Sequence, residues 1–276
     1  MSIAGWLFKG MALGICVFAG CKIGRILLGT REQYQKISQL DYIPPEPDSK
    51  AIRRVANTAI AWQVGSVEIR GRENIDKFSP SAPLIVISNH SHYADTNVIA
   101  HSINRKTYWM AAVGVLKFAG GLSAYYLRDC GAVPVEIAGN REEKALWRFP
   151  QLIASGKTLS IFPEGWLHLD GVTQEFKKGV VHIARDAEAL LGSPVHIVPI
   201  FISYGRYPGK LVTSLKMPFD YLFTLIFAPL YRSGATVCIG EAISSSALPA
   251  DSGEAVKMLR DRVVELNPKK NSKPAI

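Results

Sequence analysis

Residues 84–95 read LIVISNHSHYAD and are the most informative part of this chain for its architecture. The first five of these residues form a short apolar run rich in β-branched side chains, which predicts a buried strand over Leu84–Ser88. Polar residues follow at once, and His90 and Asp95 are among them. Because an α/β sheet presents reactive side chains where its strands end, this stretch predicts both a sheet and a functional site.

The spacing of His90 and Asp95 restricts how the two side chains pair. On one continuous helix, residues five apart point about 140° away from each other. A turn at His90 that leads into a helix near Asp95 would bring them together. The carboxylate would then keep one ring nitrogen protonated and leave the other as a base. A structural role remains open, since a histidine after a strand is often only a hydrogen-bonding group and Asp95 would also serve as a helix cap.

A second strand-to-turn stretch lies about 70 residues further along the chain. Thr158–Phe162 is predicted to be a strand, and Pro163 and Gly165 then bracket the single carboxylate of Glu164. Such a rigid turn indicates either an exposed glutamate or one held in place to grip substrate hydroxyls or to orient a loop.

Between and around these stretches, short apolar strands alternate with helical patterns, which predicts an α/β sheet with ligand sites at its strand ends. Pro150 is predicted to end or kink the helix that precedes it. Further strands are predicted over Ser66–Arg70, Ala132–Ile137 and Val195–Ile202, and helices over Asp48–Trp62, Asp95–Ser102, Glu142–Phe149 and Lys178–Leu191.

The N-terminal segment Ile3–Gly29 is apolar but contains three cations, and its longest uncharged run, Gly10–Cys21, is shorter than the roughly 20 residues that span a bilayer. It would span with its lysines reaching the interface, lie in the interface as an anchor, or be a cleaved signal. A retained anchor is favoured. The Pro-rich stretch Asp41–Pro47 indicates a linker after it.

Two further segments bear on membranes. Phe219–Leu230 is apolar and rich in aromatic residues but too short to span, so it predicts either a buried helix or a membrane-facing surface. Asn267–Ile276 carries three lysines and two prolines and is predicted to be a disordered tail that contacts anionic lipid.

The composition narrows the choice of partners. The chain has 276 residues, a formal net charge of +9 and a pI near 9.4, which favours an acidic partner: nucleic acid, an anionic membrane or an acidic carrier protein. Aromatic-rich RNA-binding signatures and zinc-finger spacings do not occur in it, so nucleic acid is not predicted. The four cysteines form no CxxC pair, which indicates reduced, buried thiols in a protein facing the cytosol.

His90-x4-Asp95 followed by Phe162-Pro163-Glu164-Gly165 resembles the glycerolipid acyltransferases, a family that includes bacterial lysophosphatidic acid acyltransferase. The two motifs look like its NHxxxxD and FPEGT blocks. The resemblance covers roughly Val67 to Gly205 and includes, in the expected order, Val67–Gly71, Gly131–Val135, Phe176–Gly179 and Val198–Ile200.

This resemblance implies a fold, a reaction and a site. The fold would be an α/β domain with a mixed sheet flanked by helices and an N-terminal helical membrane anchor, divided into residues 1–45 (anchor and linker), 46–266 (acyltransferase domain) and 267–276 (basic tail). His90 would take the proton of a lysolipid hydroxyl, Asp95 would orient it, and the hydroxyl would attack an acyl thioester directly. The donor would be acyl-CoA or acyl-carrier protein, with no metal or other cofactor, at the cytoplasmic face of a membrane. The residues implied in substrate binding are Glu164, Gly165, Lys177 and Trp166.

Two departures from the family pattern concern the grip on the acceptor's phosphate. Trp166 and Leu167 stand where the family has Thr and a basic or small polar residue, and Ile137 stands where its middle block has Arg. An arginine fork suits phosphate, so the acceptor head group is in question. The cations that would substitute are Arg128, Arg141, Lys177 and Lys178, and a different lysolipid packed against Trp166 is the other solution.

Two functions of other classes compete. His90-x-His92 with Asp95 would suit a metal-dependent hydrolase, although the spacing differs from the metallo-β-lactamase pattern. The altered positions Ile137, Trp166 and Leu167 would suit a non-catalytic lipid-binding or scaffold protein that retains the fold.

Overall fold

The computed structural model describes residues 24–39, 41–136, 146–207, 212 and 219–271. Its centre is an eight-stranded mixed sheet. The strands are β1 Val67–Arg70, β2 Leu84–Ser88, β3 Thr107–Ala112, β4 Ala132–Val135, β5 Thr158–Ile161, β6 His196–Tyr204, β7 Ala235–Ile239 and β8 Ile243–Ser244. Their order in the sheet is β1-β7-β6-β2-β5-β3-β4, with β8 paired to β6.

Helices cover both faces of the sheet. They are α1 (residues 24–37), α2 Ser49–Ala59, α3 Glu73–Asp76, α4 Asp95–Ile103, α5 Val113–Leu116, α6 Phe118–Leu127, α7 Arg148–Ala154, α8 Gly179–Leu191, α9 Phe219–Tyr231, α10 Ser252–Glu265 and α11 Pro268–Asn271. A π-helical turn, Ile60–Val64, continues α2. The predicted fold class, an α/β domain with a mixed sheet flanked by helices, is therefore confirmed.

Strand β2 shows why both faces are covered. All five of its residues are buried. Since side chains alternate across a strand, Leu84 and Val86 join one hydrophobic core with α4, whereas Ile85 and Ile87 join the other with α7, α8 and α10. The uninterrupted apolar run in the sequence is the expected pattern for a central parallel strand.

The helix predicted over Glu142–Phe149 lies partly outside the described residues, since residues 142–145 are not among them. The prediction that Pro150 ends a helix is wrong, because α7 begins at Arg148 and continues past Pro150 to Ala154. Pro150 is its third residue, and the first turn of a helix has backbone N–H groups without an intrahelical acceptor. The proline therefore costs no helical hydrogen bond there and does not end the helix.

Several other elements differ from the sequence prediction. Strands β3 and β7 and the helix α10 were not predicted. Pro268–Asn271 forms a short helix rather than part of a disordered tail. Cys130 and Cys238 are buried free thiols, as predicted, whereas Cys16 and Cys21 lie outside the described residues.

The predicted anchor lies largely outside the described residues, which begin at residue 24. Among the helices that are described, none combines the length and the apolar character needed to cross a bilayer. The predicted linker packs onto the domain, because Glu46 pairs with Lys106 and Lys157 and the Tyr42 carbonyl accepts a hydrogen bond from Arg148.

Candidate active site

Three neighbouring parallel strands end at the same edge of the sheet and build the site there. Strand β2 lies between β5 and β6, and it is parallel to both. Their carboxyl ends therefore bring together side chains that are distant in sequence: His90 after β2, Glu164 after β5, and Tyr204 at the end of β6.

His90 and Asp95 form a direct contact. The chain turns at His90 and α4 begins at Asp95, so the predicted turn-to-helix geometry is confirmed. The distance from His90 Nδ1 to Asp95 Oδ2 is 2.9 Å. The histidine is partly exposed and the aspartate is fully buried, so the pair consists of a fixed carboxylate and an imidazole that solutes can reach.

Asp95 is held by four hydrogen-bond donors. In addition to His90, its Oδ2 accepts the backbone N–H groups of Ser91 at 2.7 Å and His92 at 2.8 Å, and its Oδ1 accepts the Tyr204 hydroxyl at 2.6 Å. A buried carboxylate needs such partners to offset its desolvation. The 89–92 loop is thereby folded around the same group that orients the imidazole.

The chemistry of the contact decides the tautomer of His90. An ionised carboxylate only accepts hydrogen bonds, so Nδ1 carries the proton and Nε2 of the neutral ring holds a lone pair. The ring is stacked on Phe162, with centroids 4.0 Å apart and planes inclined by 12°. Orientation by Asp95 and stacking on Phe162 together leave Nε2 positioned as a proton acceptor.

His92 has the opposite tautomer. Its Nδ1 accepts the backbone N–H of Ala94 at 3.0 Å, so the proton lies on Nε2. The ring is buried and stacked on Tyr204, with centroids 4.6 Å apart. The Nδ1 atoms of the two histidines thus serve different protein partners, which does not favour a shared metal ion. Within the described ranges, no group of three or more His, Cys, Asp and Glu side chains is placed to hold one.

Burial lowers the pKa of His92; the nearby Asp95 carboxylate opposes this shift, and the His90 ring adds to it when it is protonated. A histidine that is kept neutral in the fold contributes stability above its unfolded pKa of about 6.5 and loses it as the pH falls below that value. We expect His92→Asn, which retains an acceptor for the Ala94 N–H, to remove this loss. The free energy of unfolding should then fall less steeply below pH 6.5, by up to about 1.4 kcal/mol per pH unit.

Denaturant unfolding at a series of pH values would measure this slope. His182→Asn, at an exposed position of α8, is the matched control and should retain the slope of the parent protein. Equal slopes in the parent and in His92→Asn would contradict the prediction.

Glu164 holds two loops of the site. Its Oε1 accepts the backbone N–H of His90 at 2.8 Å and its Oε2 accepts that of Gln174 at 3.0 Å. The residue is buried, and this burial raises the pKa of its carboxyl although both backbone donors favour the charged form. The sequence left three roles open for Glu164: an exposed turn residue, a grip on substrate hydroxyls and the orientation of a loop. These contacts favour the orientation of a loop.

The other predicted binding residues lie beside Glu164. Gly165 has a φ of +70°, and a Cβ there would come within 2.8 Å of Lys177 Nζ, so the lysine side chain lies across the glycine. The backbone N–H of Lys177 donates a hydrogen bond to the Pro163 carbonyl, which holds the two segments together. Trp166 follows directly and is 57% exposed. Lys177 therefore places a cation, and Trp166 an accessible ring, next to the 162–165 turn.

The remaining candidate cations are less well placed. Arg128 is engaged by the Tyr125 carbonyl and by Asp129 on its own segment. Lys178 is exposed at the start of α8. Arg141 and Ile137 lie outside the described residues. Of these four cations, Lys177 is the one that the structure places against the 162–165 turn.

Three contributors to the site were not predicted: Tyr204, Asn89 and His168. The side-chain amide of Asn89 donates a hydrogen bond to the Ile202 carbonyl and accepts one from the Ile202 N–H. These two bonds connect the loop after β2 to strand β6. The backbone N–H of His168 donates to the His90 carbonyl at 2.9 Å. Tyr204 lies two residues beyond the strand predicted over Val195–Ile202 and ends the observed strand β6, and its partner Asp95 is 109 residues away in sequence.

With this geometry established, comparison with known proteins identifies the family. The acyltransferase family model matches residues 66–203, which is half of the chain. The chain belongs to the acyltransferase family.

Comparison with individual relatives indicates which kind of acyltransferase the chain is similar to. The chain is 25% identical to a chloroplastic 1-acyl-sn-glycerol-3-phosphate acyltransferase of Arabidopsis thaliana, over 67% of this chain and 49% of the relative. It is 30% identical to one of Brassica napus, over 63% and 48% respectively. The predicted resemblance to glycerolipid acyltransferases is thus confirmed, although the chain spans about half the length of these relatives.

A solved structure supports the fold. The 1-acyl-sn-glycerophosphate acyltransferase of Thermotoga maritima superimposes with a TM-score of 0.58 at 21% identity, covering 82% of this chain and 81% of that one. At this identity the similarity establishes the shared fold only.

Proposed function

We propose that this chain is an O-acyltransferase that moves a fatty acyl group from an acyl thioester to the hydroxyl of a lysolipid such as 1-acylglycerol-3-phosphate, in phospholipid biosynthesis or remodelling. The observation that carries the proposal is the contact between His90 Nδ1 and Asp95 Oδ2, which leaves Nε2 as a base inside the region matched by the family.

In the proposed reaction, His90 Nε2 takes the proton of the acceptor hydroxyl as its oxygen attacks the thioester carbonyl carbon. The C–S bond then breaks, and the leaving thiolate receives a proton from the imidazolium. Asp95 balances the charge of the imidazolium throughout. The step requires neither an enzyme nucleophile nor a metal, and general base catalysis of this kind contributes about 10²–10⁴-fold.

We assign the acceptor to the turn of residues 162–165 and its neighbours. Glu164 orients the His90 loop, Gly165 allows Lys177 to approach, Lys177 binds a phosphate or another anionic group, and Trp166 packs against the body of the lipid. The donor is acyl-CoA or acyl-carrier protein, both of which are anionic and suit a chain of net charge +9.

Association with a membrane belongs to the same proposal. Residues 1–45 would form an anchor and linker, 46–266 the acyltransferase domain and 267–276 a basic tail, with the site at the cytoplasmic face where thioester donors are made. The apolar run Gly10–Cys21 and the nearby lysines support an anchor.

The test is acyl transfer by the purified, detergent-solubilised protein. A labelled acyl-CoA and a labelled acyl-carrier protein would each be offered with 1-acylglycerol-3-phosphate and with lysolipids that lack a bare phosphate. We expect transfer to the phosphate-headed acceptor, and Lys177→Gln should raise its KM about tenfold, as expected for a lost bond between charged groups.

Lys257→Gln, at an exposed position of α10, is the matched control for this substitution. An unchanged KM in Lys177→Gln would remove Lys177 from the acceptor site. Failure to transfer from either donor to any acceptor would instead favour a non-catalytic lipid-binding or scaffold protein, the alternative that the exposed Trp166 motivates.

A further inference from the structure

Helix α9, Phe219–Tyr231, exposes several large apolar side chains. Phe219 is 65% exposed, Ile226 61% and Leu230 72%. The residues that α9 buries include Thr224 and Ala228, which are smaller and, in the case of Thr224, polar. A helix on the surface of a water-soluble domain normally shows the reverse pattern.

The exposed side chains form one stripe. At about 100° per residue, Phe219, Ile226 and Leu230 lie within about 40° of arc, and Phe227 extends the stripe to about 100°. Phe227 is itself exposed, and Trp62 on the π-helical turn beside α9 is 49% exposed. We refer to Phe219, Ile226, Phe227 and Leu230 as the outer stripe. Contiguous apolar surface of this kind marks a binding surface.

The opposite side of α9 adjoins the candidate active site. Thr224 and Ala228 line a small recess together with His92. His92 is two residues from His90 and donates its backbone N–H to Asp95. The outer stripe is therefore separated from the His90 loop by little more than the thickness of one helix.

Charge in this part of the chain selects the kind of partner. Residues 205–235 contain four cations, including Arg206 and Arg232, and a single carboxylate, Asp220. Arg206 and Arg232 are exposed. Arg232 directly follows α9, and Arg206 lines the recess beside Thr224 and Ala228. Exposed cations next to a helix with an apolar stripe suit an anionic bilayer and would repel the same surface of a second copy.

We propose that the outer stripe of α9 docks into the interface of an anionic lipid bilayer, as a membrane contact separate from the N-terminal segment. A helix of 13 residues is about 20 Å long. The hydrocarbon core is about 30 Å thick, so α9 lies in the interface rather than crossing it. Docking there holds the candidate site beside the membrane surface, where a lysolipid acceptor is delivered.

The experiment is lipid photolabelling of the full chain. Vesicles of phosphatidylcholine and phosphatidylglycerol would carry a lipid with a diazirine in its acyl chain, and the irradiated protein would be digested with trypsin. The outer stripe falls in the single peptide Met217–Arg232. Peptide Asp186–Arg206 is the internal control, because it carries Leu190, which is 59% exposed on α8.

We expect the label to be enriched on Met217–Arg232 relative to Asp186–Arg206. Ile226→Glu should lower the label on the first peptide by about tenfold or more, since burying one such side chain contributes a factor of about 10–100 to the docked population. Leu190→Glu, a matched change of an equally exposed residue, should leave that label unchanged.

The proposal rests on the membrane association proposed above, and the peptides separate the two ideas. Label confined to Gly10–Lys22 would overturn docking by α9 while supporting the N-terminal anchor. Absence of label from both Gly10–Lys22 and Met217–Arg232 would overturn the N-terminal anchor as well as docking by α9. Equal label on Met217–Arg232 and Asp186–Arg206, or no response to Ile226→Glu, would also overturn docking by α9. The readout requires no acyl transfer, so it is independent of the proposed reaction.

Discussion

Replacing His90 by alanine is expected to lower the rate of acyl transfer by about 10²–10⁴-fold, the contribution of a positioned general base. The substitution removes Nε2, the ring nitrogen with a free lone pair, and leaves no proton acceptor oriented by Asp95. The effect should fall on kcat, because the base acts only while the hydroxyl attacks. Rates with saturating thioester and acceptor would measure it.

The fold should survive the substitution. The backbone N–H of residue 90 donates to Glu164, and its carbonyl accepts the backbone N–H of His168. Neither hydrogen bond involves the imidazole. Circular dichroism and thermal unfolding would verify this, and His182→Ala on the exposed face of α8 is the matched control. A His90→Ala protein that retains the parent kcat would exclude His90 as the base.

Replacing Asp95 by asparagine is the second large expected effect. The amide oxygen would remain toward the loop, where Asp95 Oδ2 accepts three donors, and the amide N–H₂ would face the Tyr204 hydroxyl, which is able to accept. The hydrogen-bond pattern is thereby retained while the negative charge is lost. Without that charge the imidazolium is no longer stabilised, and we expect kcat to fall by about 10²–10⁴-fold, the contribution of general base catalysis that depends on this imidazole.

Tyr204→Phe distinguishes the effect of the Asp95 charge from the effect of a hydrogen bond to Asp95. It removes the donor to Asp95 Oδ1 and leaves the carboxylate and its contact with His90 in place. Stability should fall by about 1–3 kcal/mol, since a buried charged group loses a hydrogen bond, but kcat should change by no more than about tenfold. If Tyr204→Phe reduced kcat as much as Asp95→Asn, the charge of Asp95 would not be the cause of either loss.

Individual elements show which features of the fold can be predicted from local sequence. The apolar run Leu84–Ser88 predicts its strand correctly because burial on both faces leaves a pattern that is visible within five residues. The Asp48 side chain caps α2 by accepting hydrogen bonds from the backbone N–H groups of Lys50 and Ala51, and this interaction is also local. Pro150 misled the prediction because the effect of a proline depends on its position in the helix, and tertiary packing decides where α7 begins.

The α/β class, the family and the turn that pairs His90 with Asp95 could thus be predicted from the residues alone, since all three depend on patterns within a few residues or on the order of motifs. Three features became visible only in the folded molecule: Tyr204 completes the Asp95 site, Glu164 holds the His90 loop, and α9 exposes its apolar stripe. These features depend on strand order in the sheet and on which side of a helix is covered. Both result from contacts between residues far apart in the chain, which local patterning does not encode.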